Sequence, residues 1–175
     1  GHPDHWGGAV EISKATGAKI LAHPAEKKPP DGVQPIEDGF KLELGNWTVR
    51  AIHTPGHTPG SICYWIPQLG ALFTGDSVLG IGTTVIRPKE GDMGQYVASL
   101  QKLLPLPLNI IYPGHGPVVK SPLPKLQELI RHRQERELQV IECLKQGLSK
   151  PDELVADIYP EVSGRIKKMA REQVM

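Results

Sequence analysis

The apolar residues of this chain fall into short segments whose spacing changes between that of a helix and that of a strand. The segment "GGAVEISKATG" has apolar residues at helical spacing and ends at a glycine, and the segment "AKILAHP" that follows is a short apolar run. These patterns predict a helix and then a buried strand. Residues 26–39, "EKKPPDGVQPIEDG", are rich in proline, glycine and charge, which favours a loop.

Further strands are predicted before residue 120. The segment "FKLELGNWTVRAIH" predicts two strands around a turn at Gly45 and Asn46, and "SICYWIPQLGALFTGD" predicts a second hairpin. A glycine-rich segment, residues 77–92, then leads to a predicted helix over residues 95–104. The segment "NIIYPGHG" is a last apolar strand that runs into a histidine between two glycines.

The pattern changes near residue 120. Ser121 is a suitable N-cap, Pro122 fits the first helical position, and helical spacing continues to Gly147. Two shorter helices are predicted over residues 149–162 and 163–175, and no strand pattern follows Val119. We therefore expect a mixed α/β domain over residues 1–120 and a helical module over residues 121–175.

Composition and charge exclude several classes of protein. Apolar residues make up 39% of the 175, which is enough to bury a core. Lys and Arg number 20 against 19 Asp and Glu, so the overall charge gives no reason to expect nucleic acid or a membrane surface. No apolar run is long enough to span a bilayer. Cys63 and Cys143 are far apart and form no CxxC pattern, which indicates free thiols in a reducing compartment.

Several histidines and aspartates lie in a predicted loop at the start of the chain or in the loops that follow predicted strands. They are His2, Asp4, His5, His57, Asp76 and His115. Side chains at strand ends can meet at one rim of a sheet, and histidine with carboxylate is a ligand set of Zn, Fe or Mn. Glycine next to His57, Asp76 and His115 allows the close backbone approach that a crowded metal site needs.

Each of these residues also has an ordinary explanation. A single histidine in a Pro-Gly turn is more often a surface residue than a ligand, and an Asp after a Gly commonly forms an Asx turn. The ordered series of four loops favours a metal site over these separate explanations. His23, His53 and His132 do not belong to this series, and we expect structural or solvent-facing roles for them.

The series "GHPDH", "HTPGHT", "FTGDS" and "YPGHG" resembles the metallo-beta-lactamase superfamily, whose first motif is His-x-His-x-Asp-His. The chain shows this motif from Gly1 onward, without its first histidine. The resemblance implies two Zn²⁺ ions. His2 and His57, with the first histidine of the motif, would bind one ion, and Asp4, His5 and His115 would bind the other. Asp76 would bridge the two.

The resemblance also implies the fold. Residues 1–120 would form an αβ/βα sandwich whose N-terminal part is missing, so that one sheet is incomplete and has an exposed edge. Residues 121–175 would form a small, all-α, winged-helix-like module that is incomplete at its C-terminal end. The tail, with its "IYPEV" stretch, is most similar to the beta-lactamase-like protein 2 branch of the superfamily. That branch is intracellular, which implies the cytoplasm or the mitochondrion.

Members of this branch include endoribonucleases that cleave single-stranded RNA. The resemblance therefore implies a hydrolase that uses a metal-bridging hydroxide on RNA phosphodiesters, with Asp4 as a general base or orienting group. Arg165, Lys167, Lys168 and Arg171 make the last predicted helix basic. This helix would suit phosphate contacts, although a solvated helix face explains the same residues.

Three alternatives remain open at this point. A small thioester or lactone would serve the same metal centre, because the metals themselves do not discriminate between these bonds. The chain could instead be a metal-free binding module whose tail docks a partner. An iron oxidoreductase with the same ligands is a third possibility, but the sequence contains no pattern of a flavodoxin-like partner domain.

Overall fold

Two sheets and six helices make up the described part of the protein. The computed structural model describes residues 2–27 and 29–174, apart from the side chain of Arg165. The strands are β1 (Ile20–Ala22), β2 (Val33–Pro35), β3 (Lys41–Leu44), β4 (Trp47–His53), β5 (Ile62–Ile66), β6 (Ala71–Gly75) and β7 (Ile110–Pro113). The helices are α1 (Pro3–Trp6), α2 (Ala9–Thr16), α3 (Met93–Leu103), α4 (Pro122–Lys145), α5 (Pro151–Ile158) and α6 (Gly164–Gln173).

The larger sheet contains five strands in the order β3-β4-β5-β6-β7. The first four follow one another and pair antiparallel, with short turns between β3 and β4 and between β5 and β6, and a longer connection, residues 54–61, between β4 and β5. The last pair, β6 and β7, is parallel, and the connection between them carries α3. Because β6 and β7 are parallel, their carboxyl ends lie at the same edge of the sheet. The residues that follow these two strands are therefore brought together.

The smaller sheet corrects one prediction. Residues 26–39 were expected to form a loop, but Val33–Pro35 form β2, which pairs parallel with β1. The strand is three residues long and contains a proline, so it has no local alternation that identifies it. Pairing with β1 stabilises it. In the described residues this sheet has only these two strands, and its edges are unpaired.

A second correction concerns the opening segment. The residues after His2 were expected to be a loop, but Pro3–Trp6 form the single turn α1, with Pro3 at its first position. The backbone N–H of His5 donates to the carbonyl oxygen of His2 at 2.9 Å. This turn fixes where the side chains of His2 and His5 lie relative to each other.

The main core lies between the larger sheet and the helices α3 and α4. Its fully buried residues come from strands, from the 77–92 segment and from both helices, and include Leu72, Val78, Leu100, Ile111 and Leu129. Each buried side chain of this size contributes about 1.5–3 kcal/mol to folding. The core therefore fixes β6, β7 and the segment after β6 in one arrangement.

The C-terminal helices bury a second, smaller cluster around Cys143, Leu154 and Ile158. The long helix α4 contributes to both clusters, since its first half packs on the main core and Cys143 lies near its end. The predicted α/β architecture with C-terminal helices is confirmed. The domain division at residue 120, the winged-helix-like character of the tail and its incompleteness stay predictions. No helix in the described residues has the length and apolar character to cross a membrane.

The thiol of Cys63 gives a test of this packing. Cys63 lies on β5 with no exposed surface, and burial raises its pKa to about 11, although hydrogen bonds from Thr54 and Ser77 oppose the shift. The reactive thiolate is therefore scarce at neutral pH. We expect Cys63 to react with iodoacetamide only when the protein unfolds, as peptide mass mapping over a denaturant series would show. Labelling of Cys63 in native protein at neutral pH would contradict the packing described here.

Candidate metal centre

Four segments of the chain place the predicted site residues at one edge of the larger sheet. The turn α1 carries Asp4 and His5 and is preceded by His2. The connection after β4 carries His57, because β4 ends at His53. The residues that follow the parallel strands β6 and β7 are Asp76 and, two positions beyond Pro113, His115. The sheet topology thus collects residues that are up to 113 positions apart, from His2 to His115.

The first group contains His2, His57 and Asp76, whose ligand atoms lie within 4.8 Å of one another. His57 Nε2 is 3.3 Å from His2 Nδ1 and 3.5 Å from Asp76 Oδ2. His2 Nδ1 is 3.9 Å from the same carboxylate oxygen. These side chains are half-buried, so a cation between them would be partly shielded from solvent.

The second group contains Asp4, His5 and His115, again with ligand atoms within 4.8 Å of one another. His115 Nε2 is 3.2 Å from Asp4 Oδ2, and His5 Nε2 is 3.9 Å from that oxygen. All three residues are exposed. A cation held here would remain open to water and to a substrate.

Asp76 lies between the two groups. Its Oδ2 is 3.1 Å from His5 Nε2 and 3.5 Å from His57 Nε2, and its Oδ1 is 3.4 Å from His115 Nε2. Burial alone would raise the pKa of this carboxyl, but the contact with His57 and the positive charges that His5, His57 and His115 carry when protonated lower it to about 2. Asp76 is therefore a carboxylate at neutral pH, with Oδ2 shared by His57 and His5 and Oδ1 near His115.

One observation shows that the residues fit metal ions. Asp76 Oδ1 is buried, yet in the described structure it accepts no hydrogen bond. A buried carboxylate oxygen without a partner costs about 1–3 kcal/mol or more, and a cation removes that cost. Imidazole nitrogens and carboxylate oxygens are the donors that Zn and Fe accept. The six predicted ligands thus lie in two groups that meet at Asp76, while their role as ligands stays a prediction.

Backbone groups of the 77–92 segment hold two of these residues in place. The Thr84 hydroxyl donates to the carbonyl oxygen of Asp76 at 2.6 Å, and the carbonyl oxygen of Val85 lies 3.0 Å from His57 Nδ1. A carbonyl oxygen only accepts, so Nδ1 carries the proton and Nε2 is left as the ligand atom. Thr84 and Val85 were not predicted from the sequence, because nothing in a glycine-rich segment identifies a backbone contact of this kind.

Gly114 shows why glycine is needed beside the predicted ligands, because it packs directly against two of them. A Cβ atom there would lie 2.9 Å from Asp76 Oδ1 and 2.9 Å from His5 Cε1. The backbone of Gly114 also donates to the carbonyl oxygen of Gly75 at 2.8 Å. Any larger residue would therefore push apart the segments that carry Asp76 and His5.

The remaining histidines lie outside the two groups. The rings of His23 and His53 stack with their centroids 3.8 Å apart, and His53 Nε2 lies 2.8 Å from the carbonyl oxygen of Pro59. Burial and the neighbouring His53 lower the pKa of His23, so it favours the neutral form. His132 lies on α4, where burial and the charges of Arg133 and Arg136 lower its pKa. These contacts agree with the structural roles expected for them.

The fold and the site together define an α/β protein with a candidate centre for two metal ions. A family model described as "Metallo-beta-lactamase superfamily" matches residues 1–115. The chain belongs to this superfamily, as its sequence motifs indicate.

Individual relatives agree with this assignment. The chain is 38% identical over 150 residues to "Beta-lactamase-like protein 2 homolog" of Caenorhabditis elegans, a match that covers 83% of this chain and 50% of the relative. The chain spans about half the length of the curated relatives it matches first.

Solved structures also share the fold. A beta-lactamase domain protein from Burkholderia ambifaria superposes with a TM-score of 0.71 at 19% identity, over 82% of this chain and 44% of that one. TTHA1623, solved in a di-iron-bound form, superposes with a TM-score of 0.58 at 29% identity, over 70% of this chain and 69% of that one.

Substitution of Gly114 tests the crowding around Asp76. We expect Gly114→Ala to destabilise the protein by about 1–3 kcal/mol through overpacking and to weaken zinc binding by about 10-fold or more. Gly94→Ala is the matched control, because its Cβ would approach Asp92 Oδ1 only to 3.4 Å in the first turn of α3. Calorimetric unfolding and zinc titration measure both effects. Equal zinc affinity in the two variants would contradict the close packing of Gly114.

Proposed function

We propose that this protein is a zinc-dependent hydrolase with a dinuclear active site. The observation that supports this most strongly is the position of Asp76 between the groups: its Oδ2 contacts both His57 and His5, and its Oδ1 lies near His115. The six donors are imidazoles and carboxylates, and no thiol is among them. This set suits Zn²⁺, and it also suits iron, the metal named for the related structure of TTHA1623.

Two bound zinc ions would supply a nucleophile by lowering the pKa of water and would polarise the bond under attack. The residues of this chain would do the rest. His57 is fixed by its Nδ1 contact with the Val85 carbonyl, so its Nε2 stays directed at the first group. Asp4 has a side chain that is 55% exposed, and it lies at the open side of the centre, 3.2 Å from His115 Nε2. We propose that Asp4 orients the attacking water or accepts its proton.

For the substrate we propose a phosphodiester of single-stranded RNA. One support is the likeness of the tail to the beta-lactamase-like protein 2 branch, and a homologue of that protein is among the relatives. The other support is the position of helix α6 next to the metal centre. Its exposed residues Lys167 and Lys168 lie on a helix whose Gln173 contacts Ile86, one residue from Val85 at the metal centre. Arg171 is partly neutralised by Asp152 at 3.4 Å.

A thioester or lactone is the second candidate substrate, and one cavity favours it. This cavity of about 470 Å³ lies beside His2, and its walls are largely apolar, from Trp6, Pro3, Pro30 and Pro59. The charged residues Glu26, Lys27 and Glu90 also line it. Apolar walls of this kind suit a small acyl or ring group rather than a phosphate. Turnover of RNA beside a panel of thioesters and lactones distinguishes the two candidates. A metal-free binding module is a candidate of a different class. Such a module would hold no metal and would cleave neither RNA nor the thioesters and lactones.

Replacement of Asp76 tests the dinuclear centre. We expect Asp76→Ala to lose at least one zinc ion and to lower hydrolysis by more than about 100-fold, because the oxygen between both groups is removed. Elemental analysis of the purified protein gives the zinc content. Asp31→Ala, at an exposed position, is the control and should keep both ions. The proposal fails if Asp76→Ala keeps two ions and the parental rate.

Neutralisation of the tail tests the RNA proposal. The variant changes Arg165, Lys167, Lys168 and Arg171 to Gln; the Arg165 side chain lies outside the described residues. We expect weaker RNA binding and a flatter salt dependence, since each lost phosphate contact lowers the slope of log K against log salt by about 0.7. Thioester hydrolysis should not change, because a small neutral substrate gains little from a basic helix.

A charge-matched variant controls for net charge. It changes four exposed lysines to Gln on other elements: Lys14, Lys19, Lys41 and Lys145. We expect this control to keep most of the parental RNA affinity and salt slope. If the tail variant cleaved RNA at the parental rate with the parental salt slope, α6 would not contact RNA.

A further inference from the structure

The last helix contacts the loop beside the metal centre through one amide side chain. Gln173 Nε2 donates to the carbonyl oxygen of Ile86 at 2.8 Å, and Gln173 Oε1 accepts from the backbone N–H of Ile86 at 3.4 Å. One side chain thus pairs with both backbone groups of one residue. Ile86 is 4% exposed, so these bonds are shielded from water. The pairing fixes both the position and the orientation of the backbone at Ile86.

A buried arginine on α4 joins the same network. Arg133 is 6% exposed; its Nη1 donates to Gln173 Oε1 at 3.2 Å and its Nη2 donates to the carbonyl oxygen of Thr84. Its guanidinium also lies 5.4 Å from the centre of the Tyr96 ring. Charged groups are rarely buried to this extent unless their donors are satisfied. Here the loop and the amide that holds the loop accept from Nη1 and Nη2, while the buried Nε has no hydrogen-bond partner in the described residues.

The loop of residues 84–86 also contacts the first metal group, on the side away from α6. Thr84 donates through its hydroxyl to the Asp76 carbonyl oxygen, and the Val85 carbonyl accepts from His57 Nδ1. Thr84 therefore contacts the backbone of Asp76, and Val85 contacts the side chain of His57. Ile86, the next residue, contacts the last helix. The second group depends on other contacts, such as the bond of 3.0 Å from the Gly80 N–H to the carbonyl oxygen of His115.

We propose that Arg133 and Gln173 are positioning residues of the first metal group. They act through residues 84–86, which hold His57 with its proton on Nδ1 and its Nε2 free for metal. The helical tail thereby sets the affinity of the His2, His57 and Asp76 group through His57, a ligand that the Asp4, His5 and His115 group does not contain. This inference rests on the proposed metal centre and goes beyond it, because it gives α4 and α6 a role in metal binding.

The test uses Gln173→Leu, which keeps the size of the side chain but cannot form its hydrogen bonds. Gln139→Leu, at an exposed position on α4, is the matched control. Each change is made in two backgrounds: His115→Ala, which removes a donor of the second group, and His57→Ala, which removes a donor of the first. Zinc affinity is measured by competition with a chromogenic chelator.

We expect Gln173→Leu to weaken zinc binding by about 10- to 100-fold in the His115→Ala background, the usual effect of losing a partner that orients a ligand. In the His57→Ala background the change should stay below about twofold, and Gln139→Leu should change neither. Arg133→Lys, which cannot reach both of its acceptors, should give the same selective loss. Equal weakening in both backgrounds, or none in either, would overturn the proposal.

A second readout does not need bound metal. Nitrogen-15 NMR of the imidazoles in metal-free protein reports which ring nitrogen of His57 carries the proton. We expect the Nδ1–H form in the parent and a mixture of both forms in Gln173→Leu. An unchanged His57 signal in that variant would overturn the positioning role. If the parent bound no zinc at all, the proposed metal centre would fail, and this NMR comparison would still decide the inference.

Discussion

The carboxylate of Asp76 is the constraint on which the arrangement of the site depends. Four histidines from three segments of the chain direct a ring nitrogen at it, at distances between 3.1 and 3.9 Å. A second carboxylate, Asp4, lies at the outer side of the same cluster. Such a concentration of metal-binding side chains becomes most favourable when cations occupy it. The closely packed Gly114 and the parallel strands β6 and β7 both serve to bring these donors together.

The sequence predicted the parts of the fold whose pattern is local. The strands before His57, Asp76 and His115 were predicted because each is an apolar run that ends in a turn, and the site followed from their shared edge. The same reasoning placed the long helix α4 between Pro122 and the glycine that follows its end, Gly147. These features depend on residues that are close in sequence, where spacing and turn chemistry decide the structure.

Features that depend on distant partners could not be predicted in this way. Strand β2 forms because β1 offers it a parallel partner, and Pro35 makes its own sequence look like a loop. Gln173 is an ordinary polar residue near the end of a helix, and only the folded chain shows that it pairs with Ile86, 87 positions away. Backbone contacts such as that of Val85 with His57 carry no side-chain signature at all.

A crystal grown with zinc tests most directly whether Asp76 stands between two metal ions. Anomalous diffraction at the zinc edge locates the ions without any assumption about the ligands. The proposed arrangement predicts two peaks about 3.5–4 Å apart. One would be bonded to His57 Nε2, the other to His115 Nε2, with an oxygen of Asp76 on each. A single peak, or peaks that do not contact Asp76, would contradict it.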